Sequence, residues 1–290
     1  MTMIELREES LNKYTTFRTG GKAERLLLPE NIEEVKEAVS SCRASGEDYI
    51  VIGNGSNLLV SDKGYKGTVI CISDKFGAIK VDGDAIYAEA GAMLSAVART
   101  ARDNGLAGFE FASGIPGSLG GAVFMNAGAY GGEIKQVAEF VDVLHDGEVK
   151  RIPASEMNFS YRHSIAMEQD MIILGAQIRL TEDDPTEITA RMSELNKKRV
   201  EKQPLEYPSA GSTFKRPEGY FAGKLIQDSG LAGYRVGGAM VSPKHCGFVI
   251  NYDNATSTDI YQLMQDVTRI VQEKFDVTLE PEVRLIGEFV

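Results

Sequence analysis

The chain has 290 residues, of which 43% are hydrophobic and 25% charged, and its 42 acidic against 31 basic side chains leave a formal charge of -11. Such a composition belongs to a soluble globular protein and excludes a disordered one, and a chain of this length ordinarily divides into more than one domain. The acidic excess argues against non-specific nucleic-acid binding and against adhesion to anionic membranes, though not against an anionic small substrate.

In chain order, LLLP at 26–29 reads as a strand. Residues 31–46 read as a helix: Asn31 is a cap, Glu34 occupies the capping-box position, and Ile32, Val35, Ala38, Val39 and Cys42 form one apolar stripe before Gly46. Asp48 to Ile52 follows as a strand, which completes a small α/β unit. After Gly67 come TVICI at 68–72 and a hairpin in which AIKV and AIYAEA flank Asp82-Gly83. A helix over 93–104 turns Leu94, Val97, Ala98 and Ala101 inward and stops at Gly105. A second hairpin over 138–153 reverses at His145-Asp146-Gly147, and MIILGAQIRL at 171–180 is a further strand. Asp184, Pro185 and Glu187 supply a cap, a first-turn proline and an acid for a helix to Lys202. Pro204 and Pro208 mark a boundary, beyond which a short helix near 219–229, a strand at 246–251 and a helix over 258–274 are expected. The class is therefore α+β, and the expected domains are 1–70, 71–203 and 204–290.

Two glycine-rich loops are the most distinctive segments, VIGNGSNLLV at 51–60 and SGIPGSLGGAVFMNAGAYG at 113–131. In the first, Gly53, Gly55 and Ser56 leave backbone N–H groups able to converge on an anion without a basic side chain. In the second, Gly114, Gly117, Gly120 and Gly121, with Pro116, strip side chains from a surface that a flat or bulky group can approach. Either loop alone also reads as a run of turns. Together they suggest a backbone cradle for a large phosphate-bearing cofactor. Neither is a Rossmann fingerprint, because the third glycine is missing after Gly53-Asn54-Gly55, and no P-loop sequence occurs.

Cys42, Cys71 and Cys246 are odd in number and widely spaced, which suggests neither a disulfide framework nor a CxxC metal site. With His145, His163 and His245 as the only histidines, a zinc or iron site is not expected. The charged start MTMIELREES lacks the apolar core of a secretory signal, so a cytoplasmic location is expected.

Polar residues stand out in TTFRTGG at 15–21, YRHS at 161–164, AGSTFKRP at 210–217 and LEPEVRLIG at 279–287. A cation and a carboxylic acid drawn from these can stabilise a developing oxyanion while a hydroxyl donates a proton. Each also has a plainer reading. Arg162 suits a salt bridge, Ser212 a turn, and Glu280 and Glu282 a solvated end.

On Thr15-Thr16-Phe17, Gly53 to Asn57, Ser113 to Gly121, Asn126 to Gly131, Tyr161-Arg162, Ala210-Gly211-Ser212 and Glu282-Val283-Arg284, the chain resembles the UDP-N-acetylenolpyruvoylglucosamine reductases, known as MurB. It is similar to the shorter-chain branch, which lacks an inserted tyrosine-bearing loop. The resemblance implies a two-lobed FAD-binding fold of the vanillyl-alcohol-oxidase (PCMH) type with a smaller α/β substrate-binding domain. It also implies non-covalent FAD, NADPH as hydride-donating cosubstrate, and reduction of the enolpyruvyl ether of UDP-N-acetylglucosamine to UDP-N-acetylmuramate in peptidoglycan precursor synthesis.

Carried over residue by residue, Arg162 and Glu282 match the groups that stabilise an enolate-like intermediate, and Ser212 matches the proton donor. Gly53, Asn54, Gly55, Ser56 and Asn57, with Gly114, Ile115, Pro116, Gly117, Ser118 and Gly121, match the loops that touch FAD. Lys202, Lys215 and Arg216 are candidate partners of the substrate by charge and by proximity to the serine motif. Glu282 assists only in its protonated form, since an ionised glutamate opposes the developing charge. Two other readings of these residues stay open: an FAD-dependent oxidase of the same superfamily, and a non-catalytic flavin or nucleotide-sugar binder.

Overall fold

The structure, a computed structural model, describes residues 3–289. The chain forms two compact units, one from residues 3–6, 26–54 and 68–199, the other from 7–25, 55–67 and 200–289.

The first unit begins from local signals that the chain spells out. Helix α1, Ile32–Ser45, starts where the Asn31 side chain accepts the Glu34 N–H and ends at Gly46, whose φ of 66° a side chain would resist. The Glu34 carboxylate accepts from Glu30 N–H rather than closing a box on Asn31. Val35, Ala38 and Val39 face a core shared with Leu27, Ile70 and Leu174, and Cys42 is buried on the same helix. The strand Tyr49–Ile52 lies parallel to Tyr65–Cys71, with Ile52 opposite Cys71, and delivers the chain to Gly53.

The larger core of this unit sits on a five-stranded antiparallel sheet, in the order Glu148–Pro153, Ala138–His145, Met171–Arg179, Ala85–Glu89, Ile79–Asp82. Its first hairpin turns at Gly83-Asp84, since Asp82 still pairs with Ala85, one residue later than the Asp82-Gly83 signal suggests. Helix α2, Leu94–Asp103, buries Leu94, Val97, Ala98 and Ala101 as its spacing requires. Helix α3, Leu119–Phe124, was not expected: its residues fall inside the segment read as a glycine loop. Gly120 permits it, because a methyl group there would stand 2.8 Å from the Ala90 Cβ, so the glycine serves close helix–sheet packing rather than an open surface. Helix α4, Pro185–Lys202, opens with the Asp184 carboxylate accepting the Thr186 N–H.

In the second unit, helix α5 occupies Ala222–Asp228, beginning later than its predicted start. Helix α6, Ser257–Phe275, carries a reciprocal capping box between Thr256 and Asp259 and buries Ile260, Leu263, Met264, Val267 and Val271. These residues join Phe17, Leu59, Phe214 and Val283 in one core, where each large side chain withdrawn from water contributes about 1.5–3 kcal/mol. The strand expected over 246–251 is confined to Val249–Asn251, because Phe248 N–H returns to His245 O in a turn. Leu58–Val60 pairs in parallel with Arg284–Ile286, a partnership of distant segments that periodicity cannot announce. Among the described residues no helix is long and apolar enough to cross a membrane.

Candidate functional site

The first unit brings two of the predicted loops together. The Asn54 side-chain amide donates to the Pro116 carbonyl at 2.6 Å, and a methyl group on Gly53 would lie 2.3 Å from the Ser118 hydroxyl oxygen. The 117–120 segment is itself held to the chain before α2: Leu94 N–H donates to Gly117 O, Leu119 N–H to Ala92 O and Gly120 N–H to Ala90 O. Ser118 stands at the N-cap of α3, where a serine ordinarily bonds the first turn. Here its hydroxyl makes no cap bond, is buried, and has no partner among the described residues. A buried hydroxyl without a partner costs about 1–3 kcal/mol, so this one is poised for an acceptor or donor from outside the chain. Gly121, by contrast with Gly120, is exposed. A side-chain-poor cradle with an orphaned polar atom fits a large cofactor carrying phosphates.

The same unit places Arg162. Tyr161 and Arg162 are the central residues of a tight turn in which Ser160 and His163 exchange backbone hydrogen bonds of 3.1 and 3.2 Å. Asn126 pins that turn: fully buried, its amide donates to Ser160 O and to the Glu133 carboxylate, and its carbonyl accepts Lys135 N–H. Ser164 adds a bond from its hydroxyl to Phe124 O. Arg162 adopts a φ of 56°, and its guanidinium donates to Gly128 O at 3.3 Å while lying 5.1 Å from the Tyr161 ring centre. A long side chain held in the left-handed region carries backbone strain that the surrounding hydrogen bonds must hold.

The second unit assembles Ser212, Glu282 and Asn57. Thr213 O accepts Glu282 N–H, Lys215 N–H donates to Glu280 O, and Phe214 bridges Pro281, so the serine segment and the C-terminal acidic segment run as one short ladder. Thr213 is buried and its hydroxyl accepts Val249 N–H, which fixes the backbone beside the exposed Ser212. The Asn57 amide donates to Glu282 O, and Arg284 N–H donates to Asn57 O, tying the end of the first glycine loop to the same acidic segment. Gly55 could be nothing else: a methyl group there would stand 1.9 Å from Tyr14 O, and its φ is 60°. Its carbonyl accepts Thr16 N–H, and the Thr16 hydroxyl is a second buried polar group without a partner. Thr16 lies within the Thr15-Thr16-Phe17 motif, whose local sequence carries no sign of this burial.

The basic candidates differ in their surroundings. Lys215 pairs with Glu280 at 2.5 Å. Arg216 stacks its guanidinium 3.9 Å over the Phe221 ring. Lys202 is the exposed final residue of α4. Its charge, after burial, is a cause of the lowered pKa of His245, whose Nδ1 accepts Gly247 N–H. Among the described residues no cluster of His, Cys, Asp and Glu could hold a metal ion.

The family model described as UDP-N-acetylenolpyruvoylglucosamine reductase, C-terminal domain, matches residues 203–286, and one described as FAD binding domain matches 23–153. The UDP-N-acetylenolpyruvoylglucosamine reductase of Agathobacter rectalis is 52% identical over 297 residues, covering 98% of this chain and 94% of its own. That of Clostridium beijerinckii is 50% identical, with coverage of 97% and 92%. The crystal structure of the Thermus caldophilus reductase, 37% identical, matches at a TM-score of 0.84 over 99% of this chain and 100% of that one. With such matches running over nearly the whole length of each partner, the chain belongs to the UDP-N-acetylenolpyruvoylglucosamine reductase family.

Proposed function

We propose that this protein reduces the enolpyruvyl ether of UDP-N-acetylglucosamine to UDP-N-acetylmuramate, with FAD bound non-covalently and NADPH as the hydride-donating cosubstrate, in the cytoplasmic synthesis of peptidoglycan precursors. The observation that carries the reading is the junction of Gly53-Asn54 with Pro116-Ser118, a cradle with an orphaned buried hydroxyl, in a member of this family. Gly53, Asn54, Gly55, Ser56 and Asn57, with Gly114, Ile115, Pro116, Gly117, Ser118 and Gly121, would hold the FAD. When bound, FAD supplies hydride acceptance and donation.

The chain's own residues have separate tasks. Arg162 offers a planar fork to the carboxylate of the enolpyruvyl group, on which negative charge accumulates once C3 has received a hydride. Ser212, exposed and backed by the fixed Thr213, donates a proton to C2. Glu282 in its acid form donates to the same developing charge. Lys202, Lys215 and Arg216 face the diphosphate of the nucleotide sugar, with Lys215 shared between it and Glu280. The functional division is 1–70 and 71–203 for FAD and 204–290 for the substrate.

Addition of the enolpyruvyl nucleotide sugar to the yellow holoenzyme with NADPH tests this reading. Stoichiometric NADPH oxidation with formation of the lactyl ether is expected. NADPH consumption that depends on oxygen alone would assign the chain to the oxidases instead.

A further inference from the structure

Arg199, near the end of α4, lays its guanidinium on the second glycine loop: a methyl group on Gly114 would stand 2.8 Å from Nε and 3.4 Å from Cζ. Its charge interacts with the Tyr130 side chain, whose ring centre lies 6.0 Å from Cζ. Elsewhere in this unit arginines hold acids: Arg151 grips Asp142, Arg179 binds Asp84 and Glu139, and Arg191 binds Glu110 and Asp183. Among the described residues no carboxylate pairs with Arg199, although it is partly buried and the chain carries a net charge of -11. A cation drawn from water without a counter-charge is costly, so its absent partner points to an anionic group from outside the chain.

Tyr130 gives a second, independent indication. It has a φ of 54° at the tip of the Tyr130-Gly131 turn joining Gly128–Ala129 to Gly132–Glu133, a conformation that disfavours an aromatic residue. Nothing in the hairpin itself requires tyrosine there. What the placement achieves is a hydroxyl-bearing ring beside the Arg199 guanidinium where that group lies over Gly114.

We propose that Arg199 is the counter-cation for the negative charge that a bound isoalloxazine gains on accepting a hydride, and that Tyr130 is the residue that positions it. Hydride from a reduced nicotinamide brings two electrons and one proton to a neutral ring, which is left with one net negative charge shared between a ring nitrogen and the adjoining carbonyl. The parallel N–H groups of a guanidinium suit such an edge. The stabilisation is specific to the reduced form, so it raises the reduction potential without tightening the binding of oxidised FAD. This inference rests on the reading of the 114–118 loop as an FAD loop.

The test measures oxidised-FAD affinity and two-electron midpoint potential for parent, R199Q, R199K and Y130F holoenzymes. Oxidised-FAD affinity close to the parent's is expected throughout. R199Q should lose about tenfold of the preference for the reduced form, a fall of about 30 mV for a two-electron couple, with R199K and Y130F between it and the parent. A parent-like potential in R199Q that binds FAD normally overturns the proposal and leaves the cofactor reading intact. Weakened oxidised-FAD binding at an unchanged potential assigns Arg199 to the cofactor's diphosphate and overturns it too. Failure of the parent itself to bind FAD overturns the cofactor reading instead. Should R199Q not fold, parent-like potentials in both R199K and Y130F overturn the proposal.

Discussion

Gly53 and Ser118 approach so closely that a methyl group on the glycine would lie 2.3 Å from the serine hydroxyl oxygen, and no group among the described residues bonds that oxygen. Ser118→Ala should therefore stabilise the FAD-free protein, by up to about 1–3 kcal/mol, since it removes an unpartnered buried hydroxyl and no internal hydrogen bond. It should weaken FAD binding about 5- to 10-fold, the worth of one hydrogen bond of about 1–1.4 kcal/mol. Gly53→Ala should fail to load FAD because its Cβ displaces Ser118. Equilibrium dialysis checks both, and a parent-like FAD affinity in Ser118→Ala would remove the hydroxyl from the cofactor site.

Ser212→Ala separates the two half-reactions. FAD binding and reduction by NADPH should stay close to the parent, while oxidation of the reduced flavin by the enolpyruvyl substrate slows by ~10²–10⁴-fold, the usual contribution of a general acid. Arg162→Lys and Glu282→Gln should slow the same half-reaction, and the losses should not add because all three groups serve one charge. Stopped-flow absorbance near the flavin band gives the rates. A parent-like rate in Ser212→Ala would transfer the proton donor's role to Glu282 or to water.

Asn126 holds the Arg162 turn with three hydrogen bonds from a fully buried side chain. Asn126→Ala strands Lys135 N–H, while Ser160 O keeps the His163 N–H, so one unsatisfied group should cost about 1–3 kcal/mol in urea unfolding. Asn126→Asp keeps the carbonyl acceptor but loses both donated bonds, so it should also be destabilised. A loss below about 0.5 kcal/mol in Asn126→Ala would mean that the turn stands without it.

Burial, with a smaller contribution from Asp74, pushes the Cys71 thiol up from 9.0 to about 12. The fold thus keeps Cys71 protonated where the unfolded chain releases the proton. Its contribution is complete below about pH 9 and declines by about 1.4 kcal/mol per pH unit up to about pH 12. Cys71→Ala should lose that part of the slope, so the stability difference between parent and variant should shrink as pH rises through this window. Urea midpoints at pH 8 and pH 10.5 measure it, and a difference that does not change with pH would show that Cys71 does not titrate as its burial demands.

Much of the fold was legible because its signals act within one turn of backbone. The Asn31 cap and Gly46 stop bound α1, Asp184 and Pro185 open α4, and Asp146-Gly147, with φ of 54° and 79°, close a hairpin. The apolar stripes of α1, α2 and α6 are buried where their periods place them. Family membership was legible for a related reason, since the Asn54, Asn126, Arg162 and Ser212 motifs are short, ordered strings. Tertiary structure alone decided the rest. The pairing of Leu58–Val60 with Arg284–Ile286, the ladder joining Thr213 to Glu282, and the packing of Gly120 on Ala90 all depend on which remote segments become neighbours. The orphaned hydroxyls of Ser118 and Thr16 and the Arg199 guanidinium without an acid are of the same kind. A missing partner is a property of an assembled surrounding, and local propensity and periodicity carry no information about a surrounding that the chain builds only by folding.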